Sequence, residues 1–118
     1  MADISCEERV QGELEDRLED LRSIMHYERR GKDHPQMGGI EEYGLCLDYV
    51  DEGTFEDQPL GYWRYQISWG GPSDEFRLYD DNSLTYVYMD WFDGAEVDIR
   101  GRDRQLVMEV LECLGYES

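Results

Sequence analysis

Between Tyr62 and Asp93 the chain reads YWRYQISWGGPSDEFRLYDDNSLTYVYMDWFD, and this stretch constrains the fold more than any other. Trp63, Tyr65, Ile67 and Trp69 alternate with Tyr62, Arg64, Gln66 and Ser68, a period of two that sends the first set to one face of a strand. Gly70-Gly71-Pro72-Ser73 breaks the pattern. Glycine accepts positive φ, and proline fixes its own φ and lacks an N–H, so this tetrapeptide suits a chain reversal. Glu75-Phe76-Arg77-Leu78-Tyr79 resumes the alternation, Asp80-Asp81-Asn82-Ser83 forms a second polar turn, and Leu84 to Phe92 is rich in β-branched and aromatic residues. Three strands joined by two tight turns are predicted. Trp63, Tyr65, Ile67, Trp69, Phe76, Leu78, Val87 and Met89 are expected in the core, and Tyr62, Tyr79, Tyr86 and Tyr88 on the outward side.

Helices flank this unit. Ser5 followed by Glu8 fits a capping box, and Val10, Leu14, Leu18, Leu21, Ile24 and Met25 recur at helical spacing behind it. Arg29, Arg30 and Gly31 end that helix, with cations in the last turn and a residue tolerant of left-handed backbone after it. Residues 32–39 read as a loop. Leu45 to Val50 reads as a first strand, Asp51 to Leu60 as an acidic loop, and Ala95 to Arg100 as an extended connection. Asp103 is placed to cap a last helix whose stripe is Leu106, Val107, Val110, Leu111 and Leu114, with Gly115 closing it. The expectation is one α+β domain spanning residues 1–118. It is a four-stranded antiparallel meander with an N-terminal and a C-terminal helix on one side, in the order α-β-β-β-β-α and in two layers.

Charge carries what the sequence says about function. There are 29 Asp and Glu against 11 Lys and Arg, a formal net charge of −18. Solubility of a small domain asks for a net charge of only about 2 to 8. Fifteen acids lie between residues 41 and 98, against Arg64 and Arg77 alone. Fourteen of them define a candidate partner-binding surface: Glu41, Glu42, Asp51, Glu52, Glu56, Asp57, Asp74, Glu75, Asp80, Asp81, Asp90, Asp93, Glu96 and Asp98. Asp74/Glu75 and Asp80/Asp81 are expected on turns, facing water. Repulsion between such neighbours is expected to raise their pKa values in the folded state. Duplex DNA carries one negative charge per roughly 1.7 Å of axis and is held mainly by Lys and Arg, so an array of carboxylates can compete for the same basic groove. The same charge disfavours nucleic acid and anionic membrane as direct partners.

Motifs for chemistry are lacking. Asp48 to Pro59 has Gly53 where a calcium loop needs it, but Val50 and Pro59 occupy positions that must supply oxygen ligands. His26, His34 and the three cysteines are too scattered for a zinc site. No nucleophile elbow, phosphate loop or dinucleotide fingerprint occurs. No catalytic residue, metal or cofactor is assigned. An odd number of cysteines without C-x-x-C, and no apolar run near the roughly 18 residues that span a bilayer, point to a reduced, cytoplasmic, soluble protein.

An intensely acidic α+β chain of this size, containing ISWGGPSDEFR and YMDWFDGA, resembles in type the small nucleic-acid-mimicking inhibitors of phages and mobile elements, the anti-CRISPR and anti-restriction proteins. That resemblance implies a stoichiometric inhibitor, not an enzyme, whose partner is a basic nucleic-acid-binding defence nuclease or its target-recognition subunit. The alternatives are an immunity protein or antitoxin capping a basic toxin and, from another class, a small hydrolase using carboxylates and Mg²⁺.

Overall fold

Ser5 opens the first helix as its capping pattern predicts, its hydroxyl accepting from the Glu8 N–H at 3.3 Å. The computed structural model describes residues 5–70, 72–91 and 93–117. In it α1 runs from Cys6 to Glu28, with Arg29 at its C-cap and Gly31 in the left-handed region at φ 69°. The stripe expected to be apolar, from Val10 to Met25, is buried. A one-turn helix α2 (Ile40–Tyr43), where the sequence pattern assigns no element, follows the loop over 32–39 and is anchored by the buried Ile40.

Strands β1 (Cys46–Val50), β2 (Tyr62–Ser68), β3 (Ser73–Tyr79), β4 (Leu84–Asp90) and β5 (Asp93–Asp98) follow, then α3 (Gly101–Cys113). The strands pair antiparallel in sequence order. The two-layer α+β meander is therefore present, with five strands among the described residues and not four. The missed strand is the segment expected to be a connection. Ala95 and Val97 are the apolar residues that face the helices from β5, opposite Tyr88 and Tyr86, while Asp93, Glu96 and Asp98 stay exposed. Two small apolar residues among acids give too weak an alternation to read. Gly71 of the expected first turn and Phe92 lie outside the described residues.

A row with one residue per strand crosses the helix-covered face: Leu47, Tyr65, Phe76, Tyr86 and Val97. Tyr65 stacks on Phe76, and Phe76 meets Tyr86 at 5.2 Å between ring centroids. The helices lay Leu14, Leu18, Leu21, Ile24, Val107, Val110 and Leu111 on this floor to make one core. Arg100, not Asp103, is the N-cap residue of α3; Asp103 stands in the first turn, where its charge still favours the helix dipole.

Three core assignments fail, those of Trp69, Val87 and Met89, each for a reason of register. The β2–β3 ladder pairs Gln66 with Glu75 but Ser68 with Asp74, so one extra residue is accommodated at Ile67. Ile67 and Ser68 both turn toward the helices, and the alternation beyond them is inverted. Trp69, expected in the core, is thereby sent to the open face and is 74 % exposed. In β4 the pairing Leu78–Leu84 and Phe76–Tyr86 sets the phase, so Leu84, Tyr86 and Tyr88 point inward. Val87 and Met89 point outward with Thr85, the reverse of the expectation. Val87 is still buried, at a central position of the sheet between Glu75 and Glu96.

Candidate partner-binding surface

The sheet face away from the helices is built from Asp48, Arg64, Glu75, Arg77, Thr85, Val87, Glu96 and Asp98, with Tyr62 and Tyr79 in its last row. Both arginines are held by carboxylates of the sheet. Arg64 makes two bonds to Asp48, at 3.0 and 2.6 Å. Arg77 bonds Glu75 at 2.7 Å and lies 4.7 Å over the Tyr62 ring. Burial works against the charge of Arg77, but its bonds to Tyr79 and Glu75 outweigh it and hold the guanidinium above its usual range. Glu96 accepts from Tyr79 at 2.7 Å and from Thr85 at 2.5 Å. The two cations of the acidic region are thus engaged within the sheet and do not screen its rim.

One end of the sheet gathers the exposed acids. The β1–β2 loop and the β3–β4 turn lie side by side there, joined by the Asp80 N–H to Gly61 carbonyl bond and by the Tyr49 hydroxyl donating to Asp80. This brings Asp51, Glu52, Glu56, Asp57, Asp80 and Asp81 together, with Glu96 and Asp98 on the adjoining sheet face. Gln58 orders the loop, its amide donating to the carbonyls of Asp51 and Leu60 and accepting from the Phe55 N–H. Asp57 and Asn82 adopt positive φ, 55° and 72°, which close the loop and the turn. Nothing in the sequence pattern singles out Gln58; its role follows from the loop's fold.

The other sequence-assigned acids lie elsewhere. Asp90 and Asp93 flank the β4–β5 turn at the opposite end, where Asp90 pairs with Arg9 at 3.3 Å and Asp93 accepts the Cys6 N–H at the start of α1 at 2.7 Å. Glu41 and Glu42 sit on α2, apart from both groups. Asp74 and Glu75 are each only 3 % exposed, which corrects their placement on a water-facing turn. The reason is that β3 begins at Ser73, so both are strand residues on opposite faces. Glu75 faces Arg77 on the open side. Asp74 lies under α1, where it accepts from Arg17 Nε at 2.7 Å and Nη2 at 3.1 Å, from the Tyr86 hydroxyl and from Ser68. Burial, and then the bond to Asp74, push the Tyr86 hydroxyl above its usual range, so it remains a donor.

Where carboxylate ionisation is displaced it goes down, opposite to the expectation from repulsion. The Ser83 hydroxyl and N–H hold Asp81 low, the Cys6 N–H holds Asp93 low, and Arg29 holds Glu109 low. Local donors outweigh the cost of desolvation at these three positions.

The sequence reading also missed an exposed aromatic pair. Trp91, at 86 % exposure, and Trp69 line a hollow with Gly70, Ser73 and Met89 at the end of the sheet away from the acidic loop. The bulge in β2 is the structural cause for Trp69. Trp91 occupies the two-residue turn bounded by the Asp90–Asp93 pair, at φ 56°.

No group of three or more His, Cys, Asp or Glu residues converges as a metal site among the described residues. Nor, among them, is any helix long and apolar enough to cross a membrane. The chain has no significant match among known protein families, curated proteins or solved structures.

Proposed function

We propose that this protein is a stoichiometric inhibitor of the anti-CRISPR or anti-restriction type. In this reading it occupies the DNA- or RNA-binding groove of a bacterial defence nuclease complex in the cytoplasm of the host. One observation carries the reading: Asp51, Glu52, Glu56, Asp57, Asp80 and Asp81 are displayed on two hydrogen-bonded turns at one end of a rigid sheet, while Arg64 and Arg77 are engaged within it. A fixed carboxylate array with its countercharge withdrawn has the electrostatic character of a phosphate backbone. Association is then fast and falls steeply with salt, because screening shortens the reach of charge to about 8 Å at physiological ionic strength. The mechanism uses no catalytic residue and no cofactor. Pull-down of candidate defence complexes at low and high salt tests it; a captured partner that still bound its nucleic acid undisturbed would contradict it.

The exposed Trp69 and Trp91 favour a second reading, an immunity protein or antitoxin, since capping a dedicated basic toxin calls for partly apolar contact. Co-purification with one basic toxin, and protection from it, would select that reading.

A further inference from the structure

Two indole side chains this exposed, converging with Met89 on one hollow, are an expensive surface to leave in water. Monomeric proteins seldom keep contiguous apolar patches without a use for them. Trp91 adds a backbone cost. The two-residue turn of the β4–β5 hairpin wants Asn, Asp or Gly at its left-handed positions, and a bulky aromatic at φ 56° is an outlier there. The hollow measures about 400 Å³, within the range of small-ligand pockets.

The chain's own charge restricts what can cover it. A second copy would bring another −18 against the first, and an anionic membrane would be repelled in the same way. The turn that carries Trp91 is bounded by Asp90, which already pairs with Arg9, and by the exposed Asp93, whose bonds come from the backbone N–H groups of Cys6 and Gly94 and not from a cation. An occupant must therefore be cationic and yet able to lie on aromatic and thioether surface. Arginine meets both demands: its guanidinium is planar, more weakly hydrated than an ammonium, and stacks on indole faces. The Ser73 side chain in the wall adds a hydroxyl able to accept from it.

We infer that the hollow formed by Trp69, Ser73, Met89 and Trp91 is a binding site for an arginine side chain of a basic partner protein, a second anchor at the end of the sheet opposite the acidic loop. This rests on the reading that the partner is basic, but not on which end of the sheet carries most of the affinity. Exposed carboxylates would steer and orient the encounter, while the indoles give it a localised contact that salt screens less.

The probe is a capped peptide of alternating glycine and arginine, with citrulline and leucine versions as controls, titrated into the full chain while the three tryptophan indole N–H resonances are followed. The arginine peptide should shift the Trp69 and Trp91 signals and leave Trp63 in place. Trp69→Ala, and Trp91→Asn, chosen because asparagine tolerates the turn's backbone, should each weaken it about two- to fivefold, the range of one exposed cation–π contact. The citrulline peptide should bind far less. Equal binding by the leucine peptide, or static indole signals throughout, would overturn the inference. If the arginine peptide moves only the backbone signals of residues 51–57 and 80–81, the arginine site falls and the acidic-surface reading stands. Should the indoles respond as expected while Asp80→Lys/Asp81→Lys leaves capture of a defence complex unchanged, the arginine site stands and the acidic-surface reading falls.

Discussion

Asp74 is the residue whose loss should do most damage for least change in volume. It ties α1 to the sheet, receiving two bonds from Arg17 and one each from Tyr86 and Ser68 in a nearly dry setting. Arg17 in turn donates to Tyr43, whose hydroxyl donates to Asp20, so the contact extends along the helix. Asp74→Ala strands a half-buried guanidinium and leaves the buried Tyr86 hydroxyl without its acceptor. Removing one partner of a buried pair typically costs about 3 to 5 kcal/mol. The Arg17 side chain keeps 26 % of its surface in contact with water, which places the expected loss near the lower bound. A loss of about 3 kcal/mol corresponds to a fall of roughly 12 °C in the thermal midpoint for a domain of this size. Urea unfolding followed by far-ultraviolet circular dichroism measures it. Substituting both partners, Arg17→Met with Asp74→Leu, should cost less than Asp74→Ala alone, because neither charge is then left unmatched. A loss under about 1 kcal/mol, or strictly additive single substitutions, would refute the view of Asp74 as a buried hub.

Trp69→Ala should change unfolding free energy by no more than about 0.5 kcal/mol, since the ring is exposed and its removal leaves no cavity; a loss of several kcal/mol would return Trp69 to the core. Gly44→Ala should destabilise by about 1 to 3 kcal/mol, because a Cβ there meets the buried Tyr65 ring, and a neutral result in urea unfolding would show that the ring can move aside. Asp81, Asp93 and Glu109 have lowered folded-state pKa values, so the stability each adds is complete above the unfolded values of about 3.9 and 4.3 and is lost as pH falls through the folded ones. The urea midpoint should therefore drop on acidification below about pH 4, and a midpoint still rising there would mean that relief of repulsion dominates.

The two long helices and the first four strands are legible because they rest on composition and repeated pattern: the Val10–Met25 stripe, the Leu106–Leu111 stripe, the alternation around Tyr65 and Phe76, and the β-branched and aromatic run from Leu84. What escapes the pattern depends on pairing between distant segments. One extra residue in β2 reverses Trp69, and no local feature of ISWGG announces it. The phase of β4 is set by Leu84 opposite Leu78, which puts tyrosines inside and Val87 and Met89 outside, although hydropathy alone ranks them the other way. The acidic surface is legible as composition but not as a site. Asp80 and Asp81 do stand on a turn with the 51–57 acids, whereas Asp74 and Glu75, an equally acidic pair beside an equally clear turn signal, are drawn into the sheet by the start of β3. Adjacent carboxylates read alike in sequence; only the cations brought to them by folding, Arg17 and Arg77, distinguish the buried pair from the displayed one.

Competition for one groove is the most direct test of inhibition by mimicry. Labelled duplex DNA or guide-paired target bound to a captured defence nuclease complex is titrated with this protein at several salt concentrations, and displacement is followed by fluorescence anisotropy. Mimicry predicts stoichiometric release of the nucleic acid and an affinity whose logarithm declines linearly with the logarithm of salt. Asp80→Lys/Asp81→Lys should weaken the competition, while single alanine substitutions on the acidic rim do little, since exposed ion pairs are worth about 0.2 to 1 kcal/mol each. A complex that holds this protein and its nucleic acid together, or a single exposed carboxylate whose removal abolishes the effect, would contradict it.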